Sequence, residues 1–291
     1  MLNGFLNLNK SKGMTSSKAI AKLKYILIQA GHKPDKIGHM GTLDPDGEGV
    51  LPVALGRGTR LFDYFIDKKK VYYAEFSFGA ITDTLDASGE TIGVTEVIPS
   101  KQDLKNVLPL LCGHLAQVPP LYSAKVIGGT KAYKLARAGK EVQLQPKTVD
   151  IYDIKLLEQL ETRVFSFRIE CGGGTYIRSI ARDMAAAVGS LGYMRYIKRL
   201  QSGVFTIEQA YTLEELADGS VFDKIIPLEE VCRSFPVYHA PDSLAEKIYH
   251  GVKVEADGMP KGNFALYIEG KLAGIAYADC EGRLIYKTRL I

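Results

Sequence analysis

Between Gly38 and Pro52 the chain reads Gly-His-Met-Gly-Thr-Leu-Asp-Pro-Asp-Gly-Glu-Gly-Val-Leu-Pro, with four glycines and two prolines in fifteen residues. Glycine and proline at that density interrupt regular structure, so the segment is expected to be a shaped loop presenting His39, Asp44, Asp46 and Glu48. Carboxylates on such a loop suit cation binding or nucleophilic attack. Calcium is disfavoured, because an EF-hand needs glycine in sixth place and a distant bidentate glutamate, whereas Gly47 is fourth counting from Asp44 and Pro45 stiffens the second place. Gly56-Arg57-Gly58-Thr59 and Gly172-Gly173-Gly174-Thr175 complete neither G-x-x-x-x-G-K-[ST] nor G-x-G-x-x-G, which argues against a nucleotide cradle. Cys112, Cys171, Cys232 and Cys280 are scattered, without C-x-x-C or a nearby histidine, so no metal is expected and the thiols read as free. From the loop alone, a purely structural turn stays open.

The elements that must position these residues are legible as periodicities. Thr15-Ser16-Ser17 offers hydroxyl caps before an apolar stripe at Ile20, Leu23 and Leu27, a helix ending near Gly31. From Val71 to Phe78, Tyr72, Ala74, Phe76 and Phe78 alternate with Val71, Tyr73, Glu75 and Ser77, the period of a half-buried strand. Val164–Cys171 alternates likewise, and Gly172-Gly173-Gly174 then turns the chain into a helix striped by Ile177, Ile180, Met184 and Val188, with Arg178 at its start. Strands and helices interleave without regular β-α-β spacing, which favours a mixed α+β sheet over a doubly wound one. Short strand-like runs at 264–268, 274–277 and 283–286 suggest a small β-rich domain from about residue 233, after a first domain spanning 1–232.

At 291 residues, 46% hydrophobic and 24% charged, the chain has room for two domains and no run of the ~20 apolar residues a membrane span needs. No secretion signal opens it, so the cytoplasm is the expected compartment. Net charge is only +4, but it is unevenly spread. Residues 1–70 hold 12 Lys/Arg against 6 Asp/Glu and 122–200 hold 14 against 7, whereas 71–121 hold 2 against 6 and 201–291 hold 9 against 14. Two basic blocks folding onto one face would suit a structured polyanion such as RNA; a solvated mixed-charge surface is the other reading.

The run Gly38-His39-Met40-Gly41-Thr42-Leu43-Asp44-Pro45, followed by Gly49-Val50-Leu51-Pro52-Val53 and Gly56-Arg57-Gly58-Thr59-Arg60, resembles the catalytic motif of the TruB family of pseudouridine synthases. Further matches keep the family's order: Lys10 to Ser16, Lys70-Val71-Tyr72, Thr82 to Gly89, Tyr122-Ser123-Ala124-Lys125 and Gly174-Thr175-Tyr176-Ile177-Arg178. The resemblance spans about residues 5–205. Ser11 departs from it where proline is usual, as does Gly47-Glu48 where alanine then serine or threonine is common.

What the resemblance implies is specific. The fold would be a mainly antiparallel synthase domain with an inserted RNA-gripping segment at about 125–150 and a PUA-like C-terminal domain at 233–291. The reaction would convert uridine to pseudouridine at position 55 in the T-loop of tRNA, with no cofactor, by a monomer needing no protein partner. Asp44 would be the nucleophile, Arg178 its ionic partner, and Tyr72 the ring against the target base. Tyr176 and Ile197 would wall the uracil pocket, and His39 would stack where the base had been. Lys10, Lys12, Arg57, Arg60, Lys68, Lys69, Lys70, Lys125, Lys131 and Arg137 would be candidates for phosphate contacts. Two rivals follow: a non-catalytic RNA-binding or RNA-folding protein on the same scaffold, and an RNA-guided synthase acting on ribosomal RNA.

Overall fold

The computed structural model describes residues 2–65, 68–123, 126–127, 130–131, 144–255 and 257–291, and among these a nine-stranded sheet forms the centre of the molecule. Its main path runs Gly4–Lys10, Glu48–Leu55, Gly192–Ser202, Lys70–Phe78, Val164–Cys171, Lys147–Glu161 and Gly113–Gln117. Ile37–His39 joins beside Glu48–Leu55 and Phe205–Thr206 beside Gly192–Ser202. All of these pairings are antiparallel but one: Glu48–Leu55 meets Gly192–Ser202 in parallel, at Glu48 with Lys198 and Gly49 with Arg199. This is the mixed, mainly antiparallel α+β class expected from the sequence.

Alternation decides the faces. Tyr72, Ala74, Phe76 and Phe78, with Phe165, Phe167, Ile169 and Cys171 beside them, enter the main core. Two helices cover that face: Ser16–Gln29 through Ala19, Leu23 and Leu27, and Ile177–Ala187 through Ile177, Ile180 and Met184. Each large aliphatic or aromatic side chain buried here contributes roughly 1.5–3 kcal/mol. Thr15 caps the first helix, its hydroxyl accepting the Lys18 N–H at 3.1 Å, and Gly31 at φ +89° follows the helix end.

The Gly38–Pro52 segment is less of a loop than its composition suggests. Strands Ile37–His39 and Glu48–Leu55 take its two ends, leaving 40–47 irregular. Pro52 fits within a strand because its polar edge faces a gap: the parallel partner pairs only at 48–49 and Ile37–His39 only at 53–55. No neighbouring strand needs an N–H there, and the Pro52 carbonyl accepts from Met40 N at 2.8 Å.

A second sheet of five strands, ordered Val237–His239, Asn263–Ile268, Lys271–Ala278, Arg283–Arg289 and Val254–Glu255, makes the C-terminal part. It packs its own cluster around Phe264, Leu266, Ile268 and Leu284. A further cluster joins Ala265, Leu272, Ile275 and Leu290 to Phe5, Val50 and Phe205 of the first sheet and to Phe65 of the short helix Phe62–Phe65. The inserted segment expected at about 125–150 lies largely outside the described residues, except that Val126–Ile127 pairs with Thr130–Lys131 and that 147–150 belong to the central sheet, paired with 114–117. No helix among the described residues is long and apolar enough to cross a membrane.

Candidate active site

Asp44 opens a tight turn. Pro45 and Asp46 occupy its middle, and the Gly47 N–H closes it on the Asp44 carbonyl at 3.0 Å, the sequence chemistry a β-turn favours. The start of the first helix and the loop before it lock this turn from outside: Ser16 Oγ both donates to Leu43 O (3.0 Å) and accepts Leu43 N–H (2.9 Å). The Pro45 carbonyl accepts N–H groups from Gly13 (2.9 Å) and Met14 (3.2 Å). Gly49, just past the turn, sits at φ +98°, and a Cβ there would come within 2.3 Å of the Arg199 carbonyl, so the parallel strand contact requires glycine.

The Asp44 carboxylate meets Arg178, Nη2 to Oδ2 at 2.9 Å. The same guanidinium reaches Asp86 Oδ2 through Nη1 at 3.4 Å and donates to the Thr84 carbonyl at 3.1 Å. Arg178 is 7% exposed, Asp86 18% and Asp44 43%. That Asp44 surface faces a walled concavity rather than bulk water, so burial still pushes its carboxyl above the usual carboxylate range; Arg178 opposes the rise, and Asp86 adds to it. Among the described residues Arg178 is the one side chain that hydrogen-bonds Asp44.

Asp44, Arg178 and Ile197 stand in the wall between two cavities. The outer, about 900 Å³, is also lined by His39, Lys12, Tyr122 and Arg195; the inner, about 520 Å³, by Tyr72, Tyr176, Lys70 and Arg199. The structure thus brings Asp44, Arg178, Tyr72, Tyr176, Ile197 and His39 together. Tyr72 is buried on the core face of its strand, and burial pushes its phenol up to about 12, so it is a neutral hydroxyl at ordinary pH. His39 is pushed below the usual imidazole range by burial and by the Arg199 charge, and its buried Nδ1 has no hydrogen-bond partner among the described residues.

The expected phosphate contacts fare differently. Lys10 is 1% exposed and spends its ammonium on the carbonyls of Met14 (2.6 Å), Ser11 (3.0 Å) and Pro45 (3.2 Å), leaving no donor for RNA. It clamps the Asp44 turn instead, with burial lowering its pKa to about 8 against the pull of Asp46, Asp44 and Glu48. Arg57 and Arg60 each give one N–H to the C-terminal part, donating to the carbonyls of Leu290 (2.8 Å) and Arg289 (2.7 Å). Lys70 is buried in the inner cavity wall, Lys69 pairs with Glu170 at 2.7 Å, and the Lys68 ammonium lies over Phe235. Lys12 stays exposed at the outer cavity. Lys125 and Arg137 lie outside the described residues, as does the side chain of Lys131. At the departure Glu48, the carboxylate is hydrogen-bonded by Tyr196 and paired with Lys198 at 3.6 Å, which ties the turn to the neighbouring strand.

Sequence reasoning missed Arg199, 1% exposed, which donates through Nε to Val50 O (2.6 Å) and through Nη2 to Gly41 O (3.0 Å) and whose charge opposes the rise of the Tyr72 phenol pKa. Its spacing held a signal, two residues past Ile197 and so on the same strand face. A bulge between Met194 and Tyr196 shifts which face that is, and hides it from simple alternation. Asp86 was missed too, although Thr84, Asp86 and Ser88 have the spacing of local side-chain turns. Among the described residues no group of three or more His, Cys, Asp or Glu is placed to hold a metal ion.

Residues 29–177 match the family described as TruB family pseudouridylate synthase (N terminal domain). The chain is 35% identical over 280 residues to the tRNA pseudouridine synthase B of Clostridium kluyveri, covering 94% of this chain and 95% of that protein. It is 37% identical to the protein of the same name from Francisella philomiragia over 291 residues, 98% and 94% of the two chains. Among solved structures, a chain of an H/ACA RNP bound to a substrate RNA containing 2'-deoxyuridine superposes with a TM-score of 0.71 at 25% identity, covering 99% of this chain and 82% of that one. A chain of a Cbf5-Nop10-Gar1 complex gives 0.70 at 26% identity, with 94% and 78% covered.

Proposed function

The chain belongs to the TruB family of pseudouridylate synthases, an isomerase converting uridine to pseudouridine in tRNA, and we propose that its target is the T-loop uridine at position 55, flipped out of the RNA and attacked by Asp44. The single observation that carries this reading is the Asp44–Arg178 pair, 2.9 Å apart, in the wall shared by both cavities.

The isomerisation breaks the bond from uracil N1 to ribose C1', forms one from C5 to C1', removes the C5 proton and leaves a proton on N1. Nothing is oxidised and nothing leaves, so no cofactor takes part. Asp44 supplies the nucleophile at the sugar–base junction, and Arg178 holds the carboxylate ionised and aimed against the burial that favours its neutral form. Tyr72, Tyr176 and Ile197 wall the space in which the freed uracil turns, with the Tyr72 hydroxyl available to relay the C5 proton. His39, neutral because its pKa is lowered, is the ring that replaces the extruded base, an extrusion costing a few kcal/mol. The exposed Lys12 meets backbone phosphate at the outer cavity. The C-terminal sheet acts as a PUA-like RNA-binding domain, and the protein works as a monomer in the cytoplasm.

Incubation with an unmodified tRNA transcript, then carbodiimide treatment and primer extension, tests the reading: a stop at position 55 is expected. Asp44→Asn should keep tRNA binding and lose the stop. Because a solved relative comes from an H/ACA RNP, the assay is run without guide RNA or partner protein; a stop only when they are added would favour the RNA-guided reading, and no stop at all the binding-only one.

A further inference from the structure

The Asp44–Arg178 pair depends on where the helix Ile177–Ala187 begins, and its N-cap residue, Tyr176, makes no side-chain cap hydrogen bond of its own. A different element supplies what is missing. Gln117, the last residue of the strand Gly113–Gln117 and 4% exposed, spends both ends of its amide on one peptide residue: Oε1 accepts the Tyr176 N–H at 2.8 Å and Nε2 donates to the Tyr176 carbonyl at 3.1 Å. The backbone groups fix which way round the amide sits, since an N–H needs an acceptor and a carbonyl a donor. The same Tyr176 carbonyl receives the N–H groups of Ser179 (3.1 Å) and Ile180 (3.2 Å), so the glutamine grips the atom from which the helix starts.

A two-point grip fixes orientation as well as distance. The neighbouring ties from the helix to Val118, the residue just past that strand, are Ser179 Oγ to Val118 O at 2.8 Å and Arg182 Nη2 to Val118 O at 3.1 Å, and they do not touch Tyr176. From this juxtaposition we infer that Gln117 is a positioning residue for the reaction, setting the Tyr176 side chain in the inner cavity wall and turning Arg178 onto Asp44. The inference rests on the reading of Asp44 as nucleophile. A misplacement of about 1 Å in such a pair costs up to about a hundredfold in rate.

The test compares Gln117→Leu, near in size but without polar atoms, and Gln117→Glu, which keeps the acceptor for Tyr176 N–H and loses the donor, with Ser179→Ala, which removes one tie of the same interface. Each is assayed on unmodified tRNA for kcat, KM, tRNA binding and the pH dependence of kcat, with thermal unfolding followed alongside. For Gln117→Leu, binding should stay within about twofold while kcat falls between about tenfold and about a hundredfold. Its acid limb should move to higher pH as Arg178 leaves Asp44. Gln117→Glu should show the same changes to a smaller degree and serves if the leucine variant does not fold. Ser179→Ala should keep both kcat and limb. A wild-type kcat in the Gln117 variants, or a loss that Ser179→Ala reproduces with the limb unmoved, overturns the inference. A 13C titration of the Asp44 carboxyl reads the same displacement without turnover: should the wild type make no pseudouridine, the functional reading fails, while the titration still decides the role of Gln117.

Discussion

Asp44 and Asp86 flank one guanidinium, at 2.9 and 3.4 Å, on loops that treat their carboxylates in opposite ways. In the 82–89 loop, Asp86 Oδ1 accepts three local donors: the hydroxyls of Ser88 (2.6 Å) and Thr84 (2.7 Å) and the Ser88 N–H (3.0 Å). Its own carbonyl accepts the Thr82 hydroxyl at 2.7 Å, and Leu85, at φ +61°, takes a backbone shape a leucine rarely adopts while its carbonyl pairs with Met194 N at 3.0 Å. The Asp44 loop is pinned just as firmly, but by its backbone: the donors go to the carbonyls of Leu43, Asp44 and Pro45, and the carboxylate is left to Arg178 and the cavity. A carboxylate saturated by neighbours anchors; one held at its peptide and spared at its oxygens is available to react. Arg178 couples the two.

Removing that coupling should have the largest effect in this comparison. Arg178→Met is expected to lower kcat by about 10²–10³-fold. Because the Arg178 cation opposes the burial-driven rise of the Asp44 pKa, its loss should also move the acid limb of activity to higher pH, which a kcat–pH profile reads. Asp86→Asn keeps the shape of the anchor but removes a charge that raises the Asp44 pKa. A fall in kcat of roughly tenfold is expected from poorer aim of Arg178, and the limb should move to lower pH, the opposite sign. Limbs moving the same way in both variants would break the comparison.

Arg199→Met tests the scaffold beneath both loops. It orphans the Val50 and Gly41 carbonyls, at roughly 1–3 kcal/mol each, and should appear first as a lower Tm. Ser88→Ala removes one of the three donors on Asp86 at an exposed position, so a stability loss of about 0.5–1.5 kcal/mol with little change in kcat is expected from denaturant unfolding and steady-state assays.

Much of this arrangement was legible before any coordinates. The stripe at Leu23 and Leu27 and the alternation from Tyr72 to Phe78 follow from burial on one face, and burial is what the structure gives them. Asp44, Tyr72 and Arg178 stood out through the family motif, which compresses a three-dimensional site into short runs. What stayed hidden depends on contacts distant in sequence. Lys10 reads as a surface cation because lysine usually is one, yet three carbonyls repay its burial. Arg57 and Arg60 belong to a basic block, yet each gives an N–H to a carbonyl more than two hundred residues later in the chain. Pro52 and the glycines made Glu48–Leu55 look irregular, since a gap in strand pairing leaves no mark in a linear sequence.

The most direct test sets the two carboxylates against each other in a single turnover, with Asp44→Asn and Asp86→Asn each in molar excess over unmodified tRNA and pseudouridine followed over time. The Asp86 variant should convert the bound tRNA slowly but completely, and the Asp44 variant should hold it without forming product. Product from Asp44→Asn at a rate equal to or above that of Asp86→Asn would contradict the assignment of Asp44 as the reacting group.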